Sequence, residues 1–171
     1  DADESLQELA DPNLRDSPGQ RLSKVLRLED AIRAMGPMLG TADGRSLAAA
    51  ALASPAFETK AIKKAFNAYS DNVYYEKGDS DRANLYLLGG TPPSSKQTIQ
   101  YMNRNDALDQ VQLLRDELAY LKKNPAETPD DVVAAQRQAV KAFDNYFALA
   151  PADDIRAARA IVGPAGPGTR N

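Results

Sequence analysis

The side chains best suited to chemistry are three carboxylates that lie close together in the sequence, Glu76, Asp79 and Asp81. Carboxylate oxygens bind hard cations such as Ca²⁺. The spacing does not place a Gly and a closing Glu where an EF-hand loop needs them, which favours a solvated acidic turn. The chain also has no His and no Cys, which excludes Ser–His–Asp and Cys–His nucleophiles, iron–sulfur clusters and nearly all zinc sites. We therefore predict no enzyme activity and no catalytic, metal-binding or cofactor-binding residue.

The segment from Gly90 to Lys96 has a superficial likeness to a phosphate-binding loop, because it begins with Gly and ends with Lys. It lacks the second Gly before the Lys, and Pro92 and Pro93 remove backbone donors that would bind phosphate. It also follows a predicted helical segment instead of a strand. The sequence therefore does not predict a nucleotide site.

Tyrosines and lysines around the second long helix have two interpretations, an ordinary core with a solvated helix face or a protein interface. Tyr is enriched at protein interfaces, and Lys at an interface rim steers a partner with an acidic surface. In the alternative interpretation, the tyrosines fill the core and the lysines form an ordinary solvated helix face. The candidate partner-binding residues are Lys60, Lys63, Lys64, Tyr69, Asp71, Asn72, Tyr74, Tyr75, Arg82 and Tyr86.

Charge is distributed unevenly along the chain. The formal net charge is −3, so no general basic field favours nucleic acid. Residues 1–17 hold six acids and one base, whereas residues 18–64 hold eight bases and four acids. The basic stretch suits an acidic partner surface, although a solvated helix face has the same composition. No apolar run approaches the ~20 residues that a membrane-spanning helix needs, so no such helix is expected.

Helix-start signals position these residues on a helical framework. Ser17-Pro18, Ser54-Pro55 and Thr128-Pro129 each place a hydroxyl at the N-cap and Pro at the first helical position, where its missing N–H costs nothing. Gly36-Pro37 is expected to end or kink the first helix. The predicted helices cover residues 18–39, 45–53, 55–76, 94–123, 129–149 and 152–162.

Apolar spacing predicts how the long helices pack. Ala107, Val111, Leu114, Leu118 and Leu121 alternate steps of four and three residues, which is typical of a bundle seam. In the next helix, the residues expected to face inward are Val133, Val140, Phe143 and Phe147. We predict an all-α fold, an antiparallel four-helix bundle with short accessory helices, over residues 17–162. An acidic extension, 1–16, and a Gly/Pro-rich tail, 163–171, are expected to be flexible.

The middle of the chain resembles lumenal extrinsic subunits of red-lineage algal photosystem II. The similarity extends over roughly residues 55–151, is nearest to the diatom-type four-helix subunit, and is looser to PsbQ-like proteins. The segments that carry it are residues 68–75, 81–86, 89–93, 100–101, 104–108, 118–121, 143–147 and 149–151.

The resemblance implies a non-catalytic subunit on the lumenal face of the chloroplast thylakoid membrane. Members of this family stabilise the photosystem and protect the oxygen-evolving centre, and their partners are the photosystem core and other extrinsic subunits. A cleaved targeting peptide would explain a start at Asp1. The acidic start and Gly/Pro tail depart from the family pattern, which leaves open a structural role in a photosystem I–antenna supercomplex. A helical adaptor or assembly factor is the other alternative.

Overall fold

The computed structural model describes residues 16–73 and 95–164. This part of the chain contains six α-helices and no β-strand. The helices are α1 (Pro18–Met35), α2 (Ala42–Leu52), α3 (Thr59–Ser70), α4 (Ser95–Lys123), α5 (Asp130–Ala148) and α6 (Ala152–Val162). The predicted all-α class is confirmed for the described residues. The candidate residues Tyr74, Tyr75, Arg82 and Tyr86, the carboxylates at 76, 79 and 81, and most of both terminal extensions lie outside them.

The start and end of α1 follow the sequence signals. The Ser17 hydroxyl accepts the Gln20 backbone N–H at 3.1 Å, and the Gln20 side chain accepts the Ser17 N–H at 2.6 Å. This reciprocal capping box satisfies two backbone donors that a helix start leaves free. The helix ends at Met35, and a 3₁₀ turn follows at Gly36–Met38, as Gly36-Pro37 predicted.

The second long helix begins later and ends earlier than predicted. Pro55–Phe57 form a separate 3₁₀ turn, and the Ser54 side chain makes no capping hydrogen bond. Glu58 has an extended ψ of 135°, which interrupts the helical hydrogen bonds, so α3 starts only at Thr59. It ends at Ser70 instead of 76, and the Asn72 side chain donates to the free Ala68 carbonyl.

The last three helices match their predicted bounds within about one residue. Thr128 was expected to cap α5, but the N-cap position belongs to Pro129 and no side chain caps it. Asp130 and Asp131 in the first turn instead complement the positive end of the helix dipole.

The core lies between the predicted seam of α4 and the inner faces of α1, α3 and α5. All five predicted seam residues of α4 are buried. In α5, Phe143 and Phe147 are buried as expected, whereas Val133 and Val140 only pack partly buried at the edge of the core. The residues that fill the α5 face at the centre are Val132, Ala135, Ala139, Ala142, Phe143 and Tyr146.

An aromatic cluster joins α3 to α5. The Phe66 ring lies 5.2 Å from that of Phe143 and 4.6 Å, edge to face, from that of Tyr146. The Tyr146 hydroxyl donates to the Phe66 carbonyl at 3.0 Å and shares a 2.5 Å hydrogen bond with the Ser70 hydroxyl. Because its hydroxyl has hydrogen-bond partners inside the protein, this tyrosine is fully buried without leaving a polar group unsatisfied.

The helices contact one another in a defined order. Helix α1 packs against α3, α5 and α6, while α4 packs against α2, α3 and α5. Gly19 permits the close approach of α6, since a Cβ at this position would lie 2.6 Å from the Ala157 Cβ. Two hydrogen bonds from Arg159 to the Asp30 carboxylate, 2.8 and 3.1 Å long, also hold α6 on α1. None of the helices in the described residues is long and apolar enough to cross a membrane.

Candidate functional site

Helix α3 has one apolar face and one cationic face. Ile62, Phe66 and Tyr69 are buried and recur at steps of four and three residues, the spacing that places side chains on one side of a helix. The remaining side of the helix carries Lys60, Lys63, Lys64, Asn67 and Asp71. The core contacts of the first face therefore fix the direction in which the second face points.

The three lysines of α3 are exposed and form no ion pair with any carboxylate of residues 16–73 and 95–164. Together with Asn67, Ala68 and Asp71 they line one shallow depression of the surface. Four of the predicted partner-binding residues, Lys60, Lys63, Lys64 and Asp71, therefore meet at one place. We call this surface, with the neighbouring Arg104, the lysine face.

Two side chains of α4, Arg104 and Tyr101, contact the lysine face near the C-terminal end of α3. Arg104 donates to the Asn67 side-chain oxygen at 2.6 Å, and its guanidinium lies 5.1 Å from the centre of the Tyr101 ring. The Tyr101 hydroxyl donates to the Asp71 carboxylate at 2.7 Å. The arrangement adds a fourth cation and holds the one acid of this surface against Tyr101. What it can do chemically is attract and orient an anionic surface.

The sequence missed Tyr101 and Arg104 as site residues, although both lie in segments that carry the family resemblance. Their spacing of three residues places them on one side of α4, but only the pairing of α3 with α4 brings them beside Asn67 and Asp71. No local sequence signal encodes that pairing.

Two other candidate residues, Tyr69 and Asn72, make contacts within the chain. Tyr69 is 1% exposed, and its hydroxyl donates to Asp154 of α6 at 2.7 Å. The periodicity of α3 turns Tyr69 into the core, which agrees with the interpretation that the tyrosines fill the core. Asn72 is exposed just after α3, but its amide is used to cap the helix.

A second group of charges lies between α1 and α5. The Glu29 side chain is buried, with the residue 3% exposed, and Arg33 pairs with both Glu29 and Asp144 at 2.6 Å. Burial raises the pKa of Glu29 to about 8, assisted by the hydrogen bond and negative charge of Asp144, while Arg33 lowers it in part. Burial alone would lower the pKa of Arg33, but the two carboxylates outweigh it and the pKa is raised. We call these three residues the α1–α5 ion network.

The described residues contain no group of three or more acids placed to hold a metal ion. Both acids of the α1–α5 ion network pair with Arg33, and the lysine face contains one acid, Asp71.

Comparison with known proteins does not identify the chain. No protein-family model matches it, and neither a curated protein nor a solved structure is significantly similar to it.

Proposed function

We propose that the protein is a non-catalytic extrinsic subunit that docks on an acidic protein surface through the lysine face. The sequence resemblance points to a photosystem, with photosystem II favoured, on the lumenal side of the chloroplast thylakoid membrane. In that position the chain would stabilise the complex and shield the oxygen-evolving centre. Its partners would be the photosystem core and the other extrinsic subunits.

The observation that carries the docking surface is that Lys60, Lys63 and Lys64 lie together on one exposed depression, and that no carboxylate of residues 16–73 and 95–164 forms an ion pair with them. Elsewhere in the described residues, Lys24 pairs with Asp16, Arg33 with two acids and Arg159 with Asp30. Three neighbouring ammonium groups on one helix, with Arg104 beside them and Asp71 as the one acid of the depression, create a net positive potential. Such a patch raises the association rate with an acidic partner and makes binding sensitive to salt.

The proposed fold is an antiparallel four-helix bundle of α1, α3, α4 and α5, with α2 and α6 as accessory helices. The helix pairs α1–α3, α3–α4, α4–α5 and α5–α1 pack against each other in a closed cycle. Gln100 near the start of α4 donates to the Tyr146 carbonyl near the end of α5, at 2.9 Å. Gln136 near the start of α5 donates to Ile32 near the end of α1, also at 2.9 Å. Both bonds support antiparallel neighbours.

The first experiment separates detergent-solubilised thylakoids of the source organism and detects the chain in the photosystem II and photosystem I fractions. We expect recovery with photosystem II and release by a high-salt wash, since screening weakens contacts between exposed charges. Recovery only with photosystem I would retain a structural role but overturn the protective one. Recovery with neither would contradict the photosystem proposal.

The second experiment tests the lysine face itself. The purified chain with Lys60→Glu, Lys63→Glu and Lys64→Glu is added back to salt-washed membranes, beside a control with Arg27→Glu, Lys123→Glu and Lys141→Glu. Both variants change the net charge equally, and all six positions are exposed. We expect the first variant to bind at least about tenfold more weakly than the control, the effect of roughly 1.4 kcal/mol. Equal binding by the two variants would remove the lysine face from the mechanism.

A further inference from the structure

A second surface lies on the other half of α4, where an apolar groove runs between α2 and α4. One side is the face of α2 that carries small, exposed side chains, and the other side is the C-terminal end of the α4 seam. Two adjoining cavities of about 390 and 310 Å³ make up the groove. The apolar lining residues are Ala42, Ala49, Ala50, Leu52, Ala53, Leu118, Ala119, Leu121 and Pro125.

Small side chains make this groove accessible to another backbone. Ala42, Ala49, Ala50 and Ala53 are exposed and recur at helical spacing along α2, whereas Leu118 and Leu121 form the apolar floor. Neighbouring helices approach most closely where the contacting side chains are small, because side-chain size sets the distance between the axes. A helix of another protein that placed leucine-sized side chains between α2 and α4 would cover both the alanines of α2 and the leucines of α4.

The charges around the groove have a single sign. Arg45, Arg115 and Lys122 line it, and no Asp or Glu of residues 16–73 and 95–164 does. None of the three forms an ion pair within residues 16–73 and 95–164. Arg115 donates to the Phe57 carbonyl and Arg45 to the Leu39 carbonyl at 3.1 Å, so both cations are held in place by neutral acceptors. The positive charge remains available to a ligand.

An apolar floor with fixed cations at its edges is complementary to an amphipathic helix that carries carboxylates beside its apolar stripe. We propose that the α2–α4 groove binds such an acidic amphipathic helix of a second protein. The apolar stripe lies against Leu118 and the alanines, and the carboxylates pair with Arg115 and Lys122. This site is separate from the lysine face, whose residues line a different depression.

The test uses a fluorescent 20-residue model peptide with leucines at helical i, i+3, i+4 and i+7 spacing and glutamates on both flanks. A second peptide of the same length replaces every glutamate with lysine. Fluorescence anisotropy with the full-length chain should show saturable binding of the acidic peptide and at least about tenfold weaker binding of the basic one. Equal binding of the two peptides, or no binding of the acidic peptide at about 1 mM protein, would overturn the proposal.

Two matched pairs of variants assign the binding to the groove. Ala50→Trp fills the groove, whereas Ala51→Trp places the same ring at an exposed position of α2 outside it. Lys122→Glu reverses a lining charge, whereas Lys123→Glu reverses the adjacent exposed one. We expect at least about a tenfold loss of acidic-peptide affinity for the first member of each pair and less than about twofold for the second. Equal losses within the pairs would contradict binding in the α2–α4 groove, and circular dichroism of all four variants establishes that each is folded.

Discussion

The lysine face and the α1–α5 ion network contain the same kinds of charged group in opposite settings. In the network, the partly exposed Arg33 pairs with the buried Glu29 on the same helix, α1, and with Asp144 on α5. On the lysine face, three exposed ammonium groups have no acidic partner among the described residues. The same helical spacing, i and i+4, joins Glu29 to Arg33 in one region and Lys60 to Lys64 in the other.

This difference separates charges that affect folding from charges that are free for binding. A buried carboxyl couples its protonation to the stability of the fold, because the charged form is penalised by desolvation. Exposed lysines lose little solvation on folding and contribute little to stability. Substitutions in the α1–α5 ion network should therefore change unfolding, whereas substitutions on the lysine face should change association.

The largest expected effect is the pH dependence caused by Glu29. Burial and Asp144 raise its folded pKa to about 8, whereas the ordinary value is 4.5. Between these values the folded chain holds more protons than the unfolded chain, so the free energy of unfolding falls as the pH rises towards 8. From pH 6 to 8 we expect a loss of about 2 kcal/mol, measured by urea unfolding. Glu29→Gln should remove most of this slope.

The composition of the chain makes the pH dependence of unfolding simple to interpret. The chain has no His and no Cys, so no other side-chain type ordinarily titrates between pH 6 and 8. The wild type and Glu29→Gln should differ least near pH 5, where Glu29 is protonated in the fold. Parallel pH profiles of the two proteins would mean that Glu29 is ionised in the folded state throughout this range.

A smaller effect is expected when the cation of the network is removed. Arg33→Met removes the ion pair with Asp144 and the hydrogen bond to Glu29, which is mostly protonated in the fold at pH 7. At this pH we expect unfolding to become easier by about 1–2 kcal/mol. This is less than for a fully buried pair, because Arg33 is 28% exposed and Asp144 is 50% exposed at their side chains. The loss should be greater at pH 9, where the wild-type Glu29 is ionised. Arg27→Met, at an exposed position of the same helix, is the control, and an equal loss there would contradict a specific role for the network.

Much of the helical framework could be predicted because its signals are local. The capping box at Ser17, the break at Gly36-Pro37 and the seam of α4 each depend on residues within a few turns of one another. The start of α3 could not be found in this way, because Ser54-Pro55 is equally suited to a 3₁₀ turn. Only the extended backbone at Glu58 decides between a turn and a continuous helix.

The candidate site was predictable in its lysines but not in its surroundings. Helical spacing places Lys60, Lys63 and Lys64 on one face of the helix in any tertiary structure. Tyr69 lies on the opposite face and is buried. Arg104 and Tyr101 join the site only through the packing of α4 on α3. Charges on one element are therefore visible in the sequence, while a site assembled from two elements requires the fold.

A still smaller effect is expected at the junction between α3 and α4. Tyr101→Phe removes the 2.7 Å hydrogen bond to Asp71 and should lower the free energy of unfolding by about 0.5 kcal/mol, since Asp71 is exposed and water replaces the hydroxyl. A double-mutant cycle with Asp71→Ala, which leaves no side-chain acceptor, measures the coupling directly. Coupling above about 2 kcal/mol would place this contact with the buried network instead of the open surface.

The smallest expected change in stability is also the sharpest test of the comparison. Replacing Lys60, Lys63 and Lys64 together with Ala removes repulsion between like charges at i, i+3 and i, i+4 and introduces the residue with the highest helix propensity. Stability should be unchanged or increase by up to about 0.5 kcal/mol, although binding to an acidic partner is weakened. Thermal unfolding and add-back binding measured on the same variant check both parts. A loss of more than about 1 kcal/mol would show that the lysines support the fold. A gain in stability with a loss of binding is instead the pattern of a surface maintained for association at the expense of stability.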